Sequence, residues 1–158
     1  MPIVNNITRL LDSRKIPYTA FELSAEKRGA LETARLLGVD PERVFKTIVV
    51  TRNFGKPILV VMPGSCEVDL KALAIFLGEK KVFLTTQAEA EKLTGLQAGG
   101  ISPLALINQG FVIVLDDSAL KLDQIHISGG QLGLNIRLGV DDLTKLTRAR
   151  FGKIGKSI

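Results

Sequence analysis

Three short segments of the chain are apolar without alternation, which is the pattern of strands that are covered on both faces. They are Ile48 to Val50, Ile58 to Met62 and Phe111 to Leu115. Asn53-Phe54-Gly55-Lys56 lies between the first two segments and has the residues and the length of a hairpin turn. We therefore predict that the first two strands are antiparallel neighbours and that all three form the centre of a sheet.

Helices and shorter strands surround this centre in the predicted order of elements. Apolar residues at i, i+3, i+4 and i+7 predict a helix from about Asp69 to Gly78 that packs on the sheet. Five further helical segments are predicted. The first is capped at Asn5 and Asn6 and ends near Arg14, the second runs from Leu31 to Leu37 and is closed by Gly38, and the third is a short piece at Asp40-Pro41-Glu42. The fourth runs from a Thr86/Glu89 capping box to about Leu93, and the fifth follows an Asp141 cap. Additional strands are predicted at Pro17–Leu23, Val82–Leu84, Gln124–Ser128 and Leu134–Leu138.

Length and composition agree with one compact unit. The chain has 158 residues, of which 46% are hydrophobic and 23% charged, which suits a single core. It has no apolar stretch near the roughly 20 residues that a bilayer crossing needs, and its start lacks the layout of a signal peptide. We predict one mixed α/β domain over residues 1–158, with a mainly antiparallel sheet wrapped by helices, in the cytoplasm and without a membrane partner.

Cys66 and His126 are the only residues of their types. This excludes an internal disulfide, a Cys/His zinc cluster and a catalytic system that needs a second histidine, and no cofactor or metal is expected. Cys66 is interpreted as a packing residue rather than a nucleophile. His126 falls on the same strand face as Ser128, but no carboxylate motif marks it as a general base, so a structural or surface role is favoured.

The positive charge is concentrated at one end of the chain. The net charge is +5, and Lys145, Arg148, Arg150, Lys153 and Lys156 follow Asp142 with no acidic residue among them. Two interpretations remain open. The segment is either an electrostatic contact for nucleic acid or the solvated end of the final helix, which charge alone favours.

Lys46 and two glycine-containing loops are the candidates for chemistry. Lys46 stands at the mouth of a strand expected to be buried, where its ammonium either reaches out to water or binds a phosphate or carbonyl oxygen. Residues 95–103 and 129–133 are rich in glycine, which lets backbone N–H groups approach a ligand. Their spacing matches no known phosphate-binding loop, so spacing alone favours an ordinary turn.

Taken together, these segments carry a family resemblance. Phe45-Lys46-Thr47, then Gly99-Gly100-Ile101-Ser102-Pro103, then Ile127-Ser128-Gly129-Gly130 with Gly133-Leu134 resemble the YbaK/EbsC family of free-standing aminoacyl-tRNA deacylases. That family is similar to the editing domain of bacterial prolyl-tRNA synthetases. The resemblance extends from the first helix to about Ile154, and the branch of Cys-tRNA(Pro) deacylases is the most similar one.

The resemblance implies the fold of that editing domain, an open pocket at one end of the sheet, and hydrolysis of the ester between a wrongly attached amino acid and tRNA. It implies that Lys46 contacts the terminal phosphate or ribose and that Gly99 and Gly100 offer backbone N–H groups to the carbonyl. It also implies a substrate-binding set: Thr47, Ile101, Ser102, Pro103, Ser128, Gly129 and Asn135. The expected partners are the aminoacylated 3′ end of tRNA and, as a second candidate, prolyl-tRNA synthetase.

In the Cys-specific branch the substrate's own thiol attacks its carbonyl, so no protein nucleophile is needed. This matches the shortage of nucleophilic side chains in this chain. The enzyme then acts by positioning the substrate and stabilising the oxyanion.

Two departures from the family pattern affect these expectations. Asn135 stands where the Cys-specific branch has an aspartate, and an asparagine is expected to offer only its neutral amide oxygen and to broaden specificity. The connection between Leu23 and Leu31 is shorter than in relatives, and the aromatic residue expected near the end of the preceding strand has no clear match, so that wall of the pocket is expected to differ. A catalytically silent module that binds tRNA or a synthetase is therefore the alternative.

Overall fold

A computed structural model describes residues 3–158, and its strands form three sheets. The strands are β1 Tyr18–Glu22, β2 Phe45–Arg52, β3 Ile58–Pro63, β4 Cys66–Val68, β5 Val82–Leu84, β6 Val112–Asp116, β7 Gln124–Ser128, β8 Leu134–Gly139, β9 Arg150–Gly152 and β10 Gly155–Ser157. The helices are α1 Asn6–Ser13, α2 Ala30–Leu37, α3 Leu70–Leu77, α4 Gln87–Thr94 and α5 Val140–Thr147, with short 3₁₀ turns at Pro41–Arg43, Pro103–Leu106 and Asp117–Lys121.

The largest sheet has five strands in the order β5-β2-β3-β6-β9. β2 and β3 are antiparallel neighbours that pair Phe45 with Pro63 and Val50 with Ile58, which confirms the predicted hairpin. β6 runs parallel to β3, and β9 runs parallel to β6. Since the remaining pairs are antiparallel, the mixed, mainly antiparallel α/β fold is also confirmed.

Both faces of this sheet are covered, as the unbroken apolar runs predict. On one face, side chains such as Val49 and Leu115 pack against the three-stranded sheet β1-β8-β7 and helices α1 and α5. On the other face, side chains such as Val60 and Val114 pack with α3 and the short strand β4. The three-stranded sheet joins the larger one near its corner through a parallel bridge between Val44 and His126.

Most predicted elements are present, but the cap of the last helix is wrong. α5 begins at Val140 with Gly139 as its N-cap, and Asp141 lies inside the first turn. The reason is that β8 continues into the helix, and the N–H of Val140 bonds to the carbonyl of Asp123. The main-chain carbonyl of Asp123, just before β7, thus accepts a bond from the first turn of α5 in place of a side-chain cap.

The interpretation of the basic C-terminal segment as a solvated helix end is also wrong. α5 ends at Thr147, Arg148 caps it in the left-handed conformation, and the chain continues as β9 and β10. β9 is an edge strand of the five-stranded sheet and β10 pairs with β4. Among residues 3–158, no helix is long and apolar enough to cross a membrane.

Candidate functional site

A cavity of about 330 Å³ opens where β2 begins, beside the ends of β7 and β8. Its other walls are the connection before α2, the N-terminus of α4 and the loop that follows α4. Six residues predicted for the site line it: Lys46, Thr47, Gly99, Ile101, Ser128 and Asn135. Segments separated by up to about ninety positions in the chain thus meet in one place.

Lys46 is partly buried, and its Nζ donates a hydrogen bond of 3.2 Å to the carbonyl of Gly64 in the turn after β3. Burial lowers the pKa of this ammonium, and electrostatic interactions with Cys66 and Glu67 oppose that effect. An ammonium has three donors, and the Gly64 carbonyl takes only one. Lys46 therefore keeps donors for an anionic or carbonyl oxygen in the cavity.

The loop after α4 presents Gly99 and Ile101 to the cavity but turns Gly100 away. The N–H of Gly100 donates to the carbonyl of Gln97 at 2.8 Å, and Gly100 is buried against the backbone of Gln131. The N–H groups of Gly99 and Ile101 have no protein acceptor within the described part of the chain, residues 3–158. These two N–H groups, rather than those of Gly99 and Gly100, are the available pair.

The other predicted residues lie behind the wall. Ser102 is fully buried, and its Oγ accepts a hydrogen bond from the N–H of Leu104 as the N-cap of the 3₁₀ turn that Pro103 begins. The N–H of Gly129 donates to the carbonyl of Leu134, and its carbonyl accepts from the Nδ2 of Asn5. A Cβ at Gly129 would lie 2.5 Å from Leu134. Gly100, Ser102, Pro103 and Gly129 therefore shape the loops, and the structure does not bring them to the cavity.

Ser128 and Asn135 are cross-strand partners at the end of β7 and β8. The Oγ of Ser128 donates to the carbonyl of Gly99 at 3.3 Å and accepts from the N–H of Gly130. The Oδ1 of Asn135 lies 2.8 Å from the Nδ1 of His126, which is buried rather than on the surface. Burial lowers the pKa of His126, the bond to Asn135 opposes this effect, and the charges of Arg137 and Arg43 add to it.

Arg28 is a cavity residue that the sequence did not reveal. It lies in the short connection before α2, and its side chain is only 10% exposed. One Nη donates to the carbonyl and the Oγ of Ser24, and it lies 3.7 Å from a carboxylate oxygen of Glu26. The backbone of Arg28 lies beside Gly99. The available signal in the sequence was that the short connection between Leu23 and Leu31 contains a long cationic side chain, Arg28.

Cys66 does not line the cavity. Burial raises the pKa of its thiol, with smaller opposing effects from Ser65 and Lys46, so the nucleophilic thiolate is disfavoured. Within residues 3–158, no three His, Cys, Asp or Glu side chains are grouped so that they could hold a metal ion.

A second, open cleft of about 480 Å³ lies between α1, the 3₁₀ turn after the glycine loop, and the end of α5. Arg14, Lys145 and Arg148 line it together with Asn108. The other cations near the C-terminus lie elsewhere: the guanidinium of Arg150 is 4.6 Å from the ring centre of Phe76, and the Nζ of Lys156 is 3.9 Å from Glu67. The basic segment is thus divided between two parts of the surface.

Comparison with known proteins gives a consistent set of relatives. The family described as "Aminoacyl-tRNA editing domain" matches residues 25–146. The chain is 34% identical over 151 residues to the "Putative Cys-tRNA(Pro)/Cys-tRNA(Cys) deacylase EbsC" of Enterococcus faecalis, covering 94% of this chain and 92% of that protein. It is 28% identical over 115 residues to the proline–tRNA ligase of Limosilactobacillus fermentum, which is 70% of this chain but 18% of the ligase.

Among solved structures, a "putative trans-editing enzyme for prolyl tRNA synthetase" has the same fold. The TM-score is 0.81 at 23% identity, with 99% of this chain and 100% of that chain covered. At this identity the likeness concerns the fold alone.

Proposed function

Because the chain belongs to the family of aminoacyl-tRNA editing domains, we propose that it is a deacylase that hydrolyses mischarged tRNA in trans, with Cys-tRNA(Pro) as its principal substrate. The observation that supports the proposal is one cavity lined by Lys46, Gly99 and Ile101, in which Lys46 has free donors and the N–H groups of Gly99 and Ile101 bond to no acceptor among residues 3–158. These are the groups that the anionic end of tRNA and a developing oxyanion require.

Two cations would hold the 3′ end of the tRNA. The free donors of Lys46 suit the terminal phosphate or the ribose oxygens, as a compact point charge does. Arg28 adds a guanidinium of which only one Nη is committed to protein groups. Since Glu26 is the one acidic side chain among the described residues of the cavity wall, the wall has the sign that attracts a phosphate.

The N–H groups of Gly99 and Ile101 would bind the ester carbonyl. For a cysteinyl group, the thiol passes its proton to water, which later returns one to the ribose oxygen, and its sulfur attacks the carbonyl carbon. The two N–H groups stabilise the resulting oxyanion, and removing one such donor from an oxyanion hole costs about 3–4 kcal/mol. The carbon–oxygen bond to the ribose then breaks, the ribose oxygen takes up a proton, and a cyclic thiolactone leaves. No protein nucleophile is needed, in agreement with the disfavoured thiolate of Cys66.

The rest of the tRNA would contact the protein outside this cavity. Arg14, Lys145 and Arg148 form a cluster of cations in the second cleft, and such clusters bind phosphate backbones without sequence preference. Prolyl-tRNA synthetase would release the mischarged tRNA that this protein captures. An activity on aminoacyl-tRNA suits a protein of the cytoplasm.

Single-turnover deacylation of tRNA(Pro) charged with cysteine, alanine, serine or proline tests the proposal. We expect rapid release from Cys-tRNA(Pro) and protection of Pro-tRNA(Pro). A 2-aminobutyryl group, which replaces the thiol by a methyl, should be released far more slowly than cysteine because it cannot attack its own carbonyl. Binding of the charged tRNAs without release of any amino acid would contradict the proposal and identify a silent binding module.

A further inference from the structure

His126 holds the amide of Asn135 in one orientation. β7 and β8 pair Ser128 with Asn135 and His126 with Arg137, so His126 and Asn135 are diagonal neighbours on one face of the sheet. Only 2% of His126 and 7% of Asn135 are exposed. Because the amide oxygen is an acceptor, the 2.8 Å contact between Asn135 Oδ1 and His126 Nδ1 requires a proton on Nδ1.

The surroundings of His126 favour this proton on Nδ1 of a neutral ring. Among residues 3–158, no acceptor contacts Nε2, whereas Oδ1 of Asn135 lies 2.8 Å from Nδ1, so the neutral tautomer with its proton on Nδ1 is the one that donates a hydrogen bond to the protein. Arg137 lies directly opposite His126, and its own buried Nε has no acceptor. Burial of the ring and the positive charges of Arg137 and Arg43 lower the pKa of His126 and disfavour its charged form.

The orientation of the amide decides what Asn135 presents to the substrate. With Oδ1 committed to His126, Nδ2 is the end that remains. This nitrogen has no acceptor within the described residues, and it is not fully buried, so it can be reached from the cavity. Asn135 lines the same cavity as Lys46. The cavity wall therefore offers a hydrogen-bond donor at this point, where the sequence led us to expect an acceptor.

We propose that His126 is a positioning residue that makes Asn135 a donor toward the acyl group, so that the site prefers aminoacyl groups with a side-chain oxygen acceptor over aliphatic groups of equal size. The part of this proposal that concerns substrate rests on the proposed function. A donor cannot bind the α-ammonium of the substrate, and Glu26 is the carboxylate of the cavity wall that is left to meet it.

Nitrogen NMR of the imidazole tests the positioning part without any substrate. Since His126 is the only histidine, a long-range ¹H–¹⁵N spectrum of the uniformly labelled, untagged protein shows one ring. At neutral pH we expect a protonated Nδ1 and an unprotonated Nε2. A neutral ring with its proton on Nε2, or a charged ring, would overturn the proposal whatever the protein hydrolyses.

Competing substrates test the specificity part. Seryl-tRNA(Pro) and 2-aminobutyryl-tRNA(Pro) differ by a hydroxyl in place of a methyl, so the ratio of their kcat/KM values reports the acceptor, and the ratio of the dissociation constants of the matching non-hydrolysable amides controls for attack of the hydroxyl on its own carbonyl. We expect the serine substrate to be favoured by about tenfold, as for one buried hydrogen bond. His126→Leu and Asn135→Leu should each abolish most of this preference. His126→Asn, which keeps an N–H donor near the position of Nδ1, should restore it.

The outcomes separate the two proposals. If no charged tRNA is hydrolysed, the proposed function fails, and binding of non-hydrolysable seryl and 2-aminobutyryl amides of 3′-amino-adenosine replaces the kinetic ratio. An unchanged ratio in a folded His126→Leu protein would overturn the role of His126. If that variant does not fold, the NMR spectrum of the unsubstituted protein still tests the proton on Nδ1. The ratio for Asn135→Leu still tests whether Asn135 is the donor.

Discussion

The hydroxyl of Ser128 donates a hydrogen bond of 3.3 Å to the main-chain carbonyl of Gly99, and this bond joins the two glycine-containing loops. The same hydroxyl accepts from the N–H of Gly130. Ser128 therefore couples the end of β7 to the loop whose N–H groups are proposed to bind the ester carbonyl. The position of that loop also depends on the positive φ of Gly99, which residues with a Cβ rarely adopt.

Gly99→Ala should lower the deacylation rate more than it lowers stability. The φ of Gly99 is +88°, a conformation that strains alanine, and a Cβ there would lie 3.1 Å from the side chain of Leu132, so the loop or Leu132 must adjust. We expect a loss of about 1–2 kcal/mol in the free energy of unfolding and at least a tenfold loss in single-turnover rate. The control is Gly95→Ala, because Gly95 has a φ of +72° but no atom near the added Cβ. Equal deacylation rates for the two variants would show that the Gly99 loop takes no part in the reaction.

Lys46→Ala should reduce the single-turnover rate by about tenfold to a hundredfold, the equivalent of roughly 1.5–3 kcal/mol for a charged hydrogen bond. Far-UV circular dichroism and the melting temperature should change little, because Lys46 lies at the start of the strand and its Nζ bonds only to Gly64. Lys46→Arg should also be impaired, since a planar guanidinium does not reproduce a compact ammonium. Lys71→Ala, an exposed change on α3, is the control for net charge, and a Lys46→Ala rate equal to that of this control would exclude the proposed role.

The stability of the protein should fall as the pH is lowered through the ordinary pKa of histidine. Burial is the main cause that lowers the pKa of His126 from 6.5, so between the lowered value and 6.5 the unfolded chain binds the proton and the folded chain does not. By linkage, stability rises with pH across this window. His126→Asn should flatten the difference in unfolding free energy between pH 7.5 and pH 5.5, as measured by urea titration. An equal slope in both proteins would mean that His126 is not held in its neutral form.

Replacing the three cations of the second cleft, Arg14, Lys145 and Arg148, by glutamine should weaken tRNA binding and leave the single-turnover rate at saturation nearly unchanged. Each phosphate contact contributes roughly 0.7–0.9 to the slope of log K against log salt, so the slope should fall by about two. The matched control removes the same charge from Arg150, Lys153 and Lys156, of which Arg150 stacks on Phe76 and Lys156 lies near Glu67. If the control lowers the slope as much, the cleft has no special role.

The central strands could be predicted from the sequence because burial on both faces leaves an unbroken apolar run, as in Ile58–Pro63. The cap of α5 could not, because the partner of Val140 is a carbonyl from an earlier segment, Asp123. A hydroxyl such as that of Ser102 looks the same in a sequence whether it binds a ligand or caps a turn. The same limit hid Arg28, whose place in the cavity depends on the docking of its connection against Gly99.

The parallel pairs β3–β6 and β6–β9 have a consequence for how the protein opens. Parallel neighbours need crossover connections, and here residues 64–111 and 117–149 make the two crossovers. The glycine loop that contains Gly99 lies in the first crossover, and Ser128 with Asn135 lies in the second. Two walls of the cavity therefore lie on long connections of the same sheet that supplies Lys46. The loop around Gly99 can exchange its amide hydrogens through local opening while β2, β3 and β6 remain protected until the whole domain unfolds, so this wall can move to admit a bulky nucleic acid end without loosening the core.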